Sequence, residues 1–232
     1  MSSTPQILLP LESRRPDRFE DYIPGPNQHA VSALIELLQL PEGCLFIRGP
    51  EGSGKTHLLN AACNSARQQG LQSFYIALGT MPDAAADGLA GLEEMHLVCL
   101  DDVDLVAGKP AWERALFHFF NRIRERLGRL VVSSTQPLSA VQFQLPDLAS
   151  RLAWGPRLQL ETLDDQGKEE ILRRKALAVG IELPSDVAKY LLSRGSRTIP
   201  DLLANFEAVR VAALKEKRKI TIPLVRQALT AD

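Results

Sequence analysis

Little in this sequence points to a metal cage, a membrane or export. Cysteine is scarce: Cys44, Cys63 and Cys99 are the three in 232 residues, each in or beside an apolar segment and none in a paired ligand spacing. An odd, scattered set excludes a disulfide framework and reads as buried thiols in a reducing cytoplasm. No apolar run approaches the ~18 residues needed to cross a bilayer, and the N-terminus has neither a basic stretch nor a long apolar one, so secretion and membrane insertion are not expected. There is no excess of either charge: 27 Lys and Arg stand against 28 Asp and Glu, a formal net charge of -1. Near-neutrality argues against a protein that coats nucleic acid through bulk positive charge. Internal repeats and low-complexity tracts are also missing.

What is present is the grammar of an α/β domain followed by a helical one. Residues 1–27 hold Pro5, Pro10, Pro16, Pro24 and Pro26 and read as an arm. From there to residue 163, helical periodicity over 28–40, 55–69 and 112–127 alternates with short apolar runs at 44–47, 73–78, 96–100, 130–134 and 157–163. Met81, Pro82 and Gly88 mark a loop. Such alternation predicts a parallel sheet covered on both faces. After Leu163 the strand signal fades. Asp164, Ser185, Thr198 and Thr221 are placed to begin four helices, making residues 164–232 a small helical domain. The charge divides with it, -4 before residue 164 and +3 after.

The strongest chemical signal is Gly49, Pro50, Glu51, Gly52, Ser53, Gly54, Lys55 and Thr56, which fill every position of G-x-x-x-x-G-K-[ST]. Glycines let backbone N–H groups fold around phosphate oxygens, the lysine neutralises the terminal phosphates, and the threonine hydroxyl suits Mg²⁺. A partner acid is expected at the end of another strand. Residues 97–100 run straight into Asp101 and Asp102, so Asp101 is expected to hold the metal and Asp102 to orient a water. Asp102 is one methylene shorter than a glutamate, which does not favour strong turnover. Arg151, near the end of a short helix begun by Pro146, is either a surface or salt-bridged arginine or a guanidinium offered to a transferred phosphoryl group.

Taken together, the phosphate loop with Thr56, His57, Leu58 and Leu59, the strand 97–104 (LVCLDDVD), the segment 147–155 (DLASRLAWG) and the stretch 218–229 (RKITIPLVRQAL) resemble the AAA+ domain of the DnaA replication-initiator family, and most closely its regulatory Hda subfamily. The resemblance covers nearly the whole chain. It implies an AAA+ core with an α-helical lid and without the initiator's C-terminal helix-turn-helix domain. Gln6, Ile7, Leu8, Leu9, Pro10 and Leu11 resemble that subfamily's sliding-clamp-binding motif, an extended segment anchored by leucines in an apolar pocket. The family's arginine finger falls on Arg151. The implied activity is regulation of initiation in the cytoplasm, at the replisome. An ADP-bound (or ATP-bound) protein with Mg²⁺ docks on the DNA-loaded clamp, the beta subunit of DNA polymerase III, and stimulates hydrolysis of the ATP held by DnaA, itself at most a weak ATPase.

Two positions depart from the family pattern. Pro200 falls where a lid arginine contacts phosphate, leaving Arg197 as the nearest substitute, and Thr135 falls where an acid is usual. Alternatives from other classes are an independent ATPase motor acting as a helicase or clamp loader, and an adaptor whose nucleotide is structural only. His29, His57, His96 and His118 have no metal spacing. Arg122, Arg124, Arg126 and Arg129 read as the solvated end of a helix. The cluster Lys215, Lys217, Arg218 and Lys219 reads first as a similar solvated run, with nucleic-acid contact as the alternative.

Overall fold

The computed structural model describes residues 17–194 and 198–229. The five apolar runs form one sheet of β1 (Gly43–Arg48), β2 (Ser73–Ala77), β3 (Leu97–Asp101), β4 (Arg129–Ser134) and β5 (Arg157–Gln159), in the order β2-β3-β4-β1-β5. Every pairing is parallel, and the register sets Arg48 beside Ser134 and Leu100 beside Val132. The C-terminal ends of β1, β3 and β4 therefore share one edge, where ligands bind in open α/β sheets.

Period-two alternation sends side chains to opposite faces. Leu45, Ile47, Cys99 and Val131 pack with α1 (Gln28–Leu37) and α2 (Lys55–Gln68); Phe46, Val98, Leu100 and Val132 pack with α3 (Pro110–Glu125) and α4 (Pro146–Leu152). All three thiols are buried and free. The loop over 79–96 contains short 3-10 turns, including Asp83–Leu89 and Leu92–Glu94.

The four C-terminal helices are α5 (Asp165–Ala178), α6 (Ser185–Arg194), α7 (Ile199–Glu216) and α8 (Ile222–Leu229), closed around Leu172, Leu191, Phe206, Val209 and Leu224. Asp164 caps α5 by accepting the Gly167 N–H at 2.8 Å, and Thr198 caps α7 through the Asp201 N–H at 3.3 Å. The last strand is shorter than the apolar run over 157–163 predicts. Leu160 still donates to Arg48, but the Glu161 N–H and carbonyl are both taken by the Asn27 side chain, which ends the ladder.

Among the described residues no helix is long and apolar enough to cross a membrane. The basic end of α3 is not simply solvated. Arg122 pairs with Glu93 at 2.7 Å and Arg126 with Glu94 at 2.8 Å, while Arg129 donates to the carbonyls of Leu37, Leu40 and His96. Three of these four cations thereby reduce their mutual repulsion, pairing with the turn that precedes β3 or with backbone acceptors.

Candidate nucleotide site

The phosphate loop leaves β1 at Gly49 and enters α2 at Lys55, with the Gly49 N–H tied to the Ser134 carbonyl of β4 at 3.1 Å. Gly52 and Gly54 have φ of +76° and +91°, a region that side chains enter only with strain. At Gly52 a Cβ would also lie 3.5 Å from the Ile199 N and 3.7 Å from the Pro200 Cδ, so the start of α7 closes directly over the loop. The Lys55 ammonium is buried and donates to the loop's own carbonyls, Gly49 at 2.9 Å and Pro50 at 3.3 Å.

Asp101 ends β3 at 1% exposure. Three hydroxyls offset the cost of burying its charge: Thr56 Oγ1 donates to Oδ2 at 2.6 Å, Tyr75 to the same oxygen at 2.8 Å, and Ser133 to Oδ1. Thr56 and Asp101, the two residues expected to hold Mg²⁺, are thus hydrogen-bonded to each other, which places two hard oxygen donors together. Sequence reasoning missed Tyr75 and Ser133, which lie 26 and 32 residues from the acid. Asp102 follows in the left-handed region with φ 57°, its N–H held by Ser133 Oγ at 2.9 Å. Burial, and then the neighbouring Asp101 charge, raise its pKa above the ordinary carboxylate value, with Lys55 pulling the other way. Thr135 is bound through its N–H and hydroxyl to Asp104, so an acid stands beside the position where the sequence lacks one.

A cleft of about 760 Å³ opens between the loop and the helical domain, lined by Glu51, Gly52, Leu163, Lys168 and Ile199 among others. Lys168 was not singled out by any motif. Pro200 stands where the helical domain meets the loop; Arg197 and the segment from Gln6 to Leu11 lie outside the described residues. His57 turns toward the segment before α1, with Nε2 2.9 Å from the Arg18 carbonyl and its ring 5.6 Å from that of Tyr22.

Do these residues suit a nucleotide with Mg²⁺? The two left-handed glycines give the loop a backbone course that side chains would strain, and a lysine and a Thr–Asp pair stand at its end. Among the described residues no cluster of three or more His, Cys, Asp or Glu forms a metal cage. That is the donor set of a Mg²⁺ held by one carboxylate, a hydroxyl and phosphate oxygens.

Arg151 is elsewhere. Its guanidinium lies 4.3 Å from the Phe117 ring centroid, and Nη1 donates to Asn121 Oδ1 at 2.5 Å, both on α3. The side chain therefore lies against α3 instead of projecting freely, because a planar guanidinium stacks well on an aromatic face. Its Nε is buried without a partner. Beside it Arg124 sits 4.4 Å from the Trp154 ring centroid.

A model of the bacterial DnaA ATPase domain matches residues 14–159, and a model of the Hda lid domain matches residues 165–229. The chain belongs to the DnaA/Hda family of AAA+ proteins. Among solved structures, domain III of the Thermotoga maritima replication initiation protein DnaA is 27% identical with a TM-score of 0.81, over 93% of this chain and 97% of that one. A replication initiator DnaA bound to AMPPCP and single-stranded DNA is 25% identical with a TM-score of 0.74, over 87% of this chain and 67% of that one. The Thermotoga maritima RuvB Holliday junction branch migration motor, at 18% identity and a TM-score of 0.71 over 93% and 72% of the two chains, shares the fold. A DnaA-type ATPase core followed by an Hda-type lid places the chain among DnaA-related replication proteins.

Proposed function

We propose that this DnaA/Hda-family protein inactivates the initiator, using its own nucleotide site for structure and Arg151 for chemistry on another molecule. The observation that carries the reading is the placement of Arg151: its contacts are with α3, and it is a cation held away from its own phosphate loop and bearing an unpartnered buried donor. To reach a nucleotide bound by a neighbouring AAA+ domain, the guanidinium would leave its contacts with Phe117 and Asn121. There it stabilises charge developing on the γ-phosphoryl group of ATP held by DnaA.

In its own site, the backbone of residues 49–54 and Lys55 would hold the phosphates of ADP or ATP, and Thr56 and Asp101 would hold Mg²⁺. Bound Mg²⁺ neutralises phosphate charge. Asp102 would take the water-activating role, and its side chain, one methylene shorter than a glutamate, favours weak turnover. Pro200, packed at the loop, brings no charge to the phosphates. Residues 1–27 act as an arm, with Gln6 to Leu11 docking on the DNA-loaded sliding clamp, while 28–163 and 164–232 are the core and lid. The clamp thereby brings a nearly neutral protein to DNA, in the cytoplasm.

The test is hydrolysis of DnaA-bound ATP with DNA-loaded clamp. Wild type stimulates it, Arg151→Ala loses stimulation while still binding the clamp, and Gln6→Ala/Leu9→Ala loses both. Full stimulation by the arm variant sinks the clamp assignment. An isolated protein turning over ATP on the order of once per second, as ordinary enzymes do, supports an independent motor instead.

A further inference from the structure

Residues 17–27 run as a strap over the phosphate loop, and Tyr22 is its contact point. The Tyr22 hydroxyl donates to the Ser53 carbonyl at 3.2 Å and accepts from Asn27 Nδ2, also at 3.2 Å. Asn27 is fully buried and fixed at both ends of its amide: Nδ2 also donates to the Glu161 carbonyl at 2.9 Å, and Oδ1 accepts the Glu161 N–H at 2.8 Å. The Tyr22 ring fills the space left by Gly54, where a Cβ would stand 2.6 Å from Cε2. The strap is anchored elsewhere as well, since Asn64 of α2 donates to the Asp17 carbonyl at 2.9 Å and Arg174 of α5 to the Glu20 carbonyl at 3.3 Å.

A trans peptide carries its carbonyl and N–H on opposite edges. Holding the Ser53 carbonyl on Tyr22 therefore turns the Gly54 N–H to the other side of that peptide. A flip would reverse them and present a carbonyl oxygen where an anion needs a donor. Glycine at 54 makes such a flip sterically cheap, so the orientation needs an external restraint. Burial raises the Tyr22 pKa, and the phenol stays protonated as a donor.

We infer that Tyr22, locked by Asn27, is a positioning residue for nucleotide phosphates: it fixes the Ser53–Gly54 peptide so that the Gly54 N–H is offered to the phosphate chain. The inference rests on the nucleotide site proposed above and adds a residue outside the phosphate-loop motif. Because Asn27 also binds Glu161, just before α5, the same lock ties loop geometry to the connection leading into the lid.

The test measures ADP and adenosine affinity, by calorimetry and by displacement of a fluorescent ADP, for the full chain, Tyr22→Phe and Lys55→Ala. Phenylalanine keeps the ring against Gly54 and removes only the hydroxyl. The expected result is ADP binding weakened about five- to tenfold with adenosine affinity unchanged, the loss of one net hydrogen bond felt only by a ligand with phosphates. ADP affinity within twofold of wild type overturns the inference, as does an equal loss for ADP and adenosine, which marks a merely structural role. Lys55→Ala separates the two levels. Weakened ADP binding in that variant with Tyr22→Phe unaffected removes Tyr22 alone; undiminished ADP binding in Lys55→Ala, or none in wild type, removes the phosphate-loop site and the inference with it.

Discussion

Asp101 and Asp102 are adjacent carboxylates with opposite environments. The first is buried under three hydroxyl donors; the second is half-buried with its pKa raised by desolvation and by its neighbour. A native pKa above the unfolded value of about 3.9 means that the folded state holds the proton more tightly. Below the unfolded value both states are protonated and the site costs nothing; the cost appears as pH rises through the native pKa. Asn at 102 tolerates the left-handed backbone and does not titrate. Asp102→Asn should therefore raise the urea midpoint at pH 7, with the gain shrinking as pH falls toward 4. A gain that is constant or grows on acidification would contradict this assignment of strain to ionisation. The pair itself was legible in the sequence, as a strand running into two acids. Their partners were not, because Tyr75 and Ser133 reach Asp101 from other strands.

At the scale of elements, helices and strands followed the hydrophobic periods closely, and the cap residues Asp164 and Thr198 stood where they were needed. The exception is the end of β5, cut short by an asparagine 134 residues away in sequence. No local pattern announces such a side chain as a strand terminator. Glu113 is a similar case. It is a fully buried carboxylate in α3 that accepts the backbone N–H groups of Gly108 at 2.7 Å, Gln144 at 3.0 Å and Leu145 at 2.8 Å. It joins the loop before α3 to the segment that launches α4, the helix carrying Arg151. Glu113→Ala strands three N–H groups and should cost about 3 kcal/mol in urea unfolding, at ~1 kcal/mol or more per unsatisfied donor. Glu113→Gln keeps one acceptor and should cost less. Equal stability of Glu113→Ala and wild type would show that water replaces the carboxylate.

Across the whole molecule, a chain of net charge -1 carries a glycine-rich phosphate loop and, on α4, the arginine proposed to act on another molecule's nucleotide. The glycine-rich loop, legible as a motif, and the start of α7 line one cleft, and Asp101 is bonded to Thr56 at the end of that loop; Arg151 lies on α4, where only the family resemblance raised it above an ordinary arginine. Its rest position on Phe117 and Asn121 was invisible to the sequence, since partners this far away along the chain leave no spacing signature. The central claim is that this cation acts on a nucleotide that the protein does not itself hold. Its most direct test is a single-turnover measurement of radiolabelled ATP preloaded on DnaA, with clamp on DNA and excess Arg151→Ala, Lys55→Ala or wild-type protein. The account predicts that Arg151→Ala lowers the stimulated rate on the order of 10³-fold, to the level of DnaA alone, while Lys55→Ala with added protein retains measurable stimulation. Stimulation by Arg151→Ala equal to wild type would contradict it.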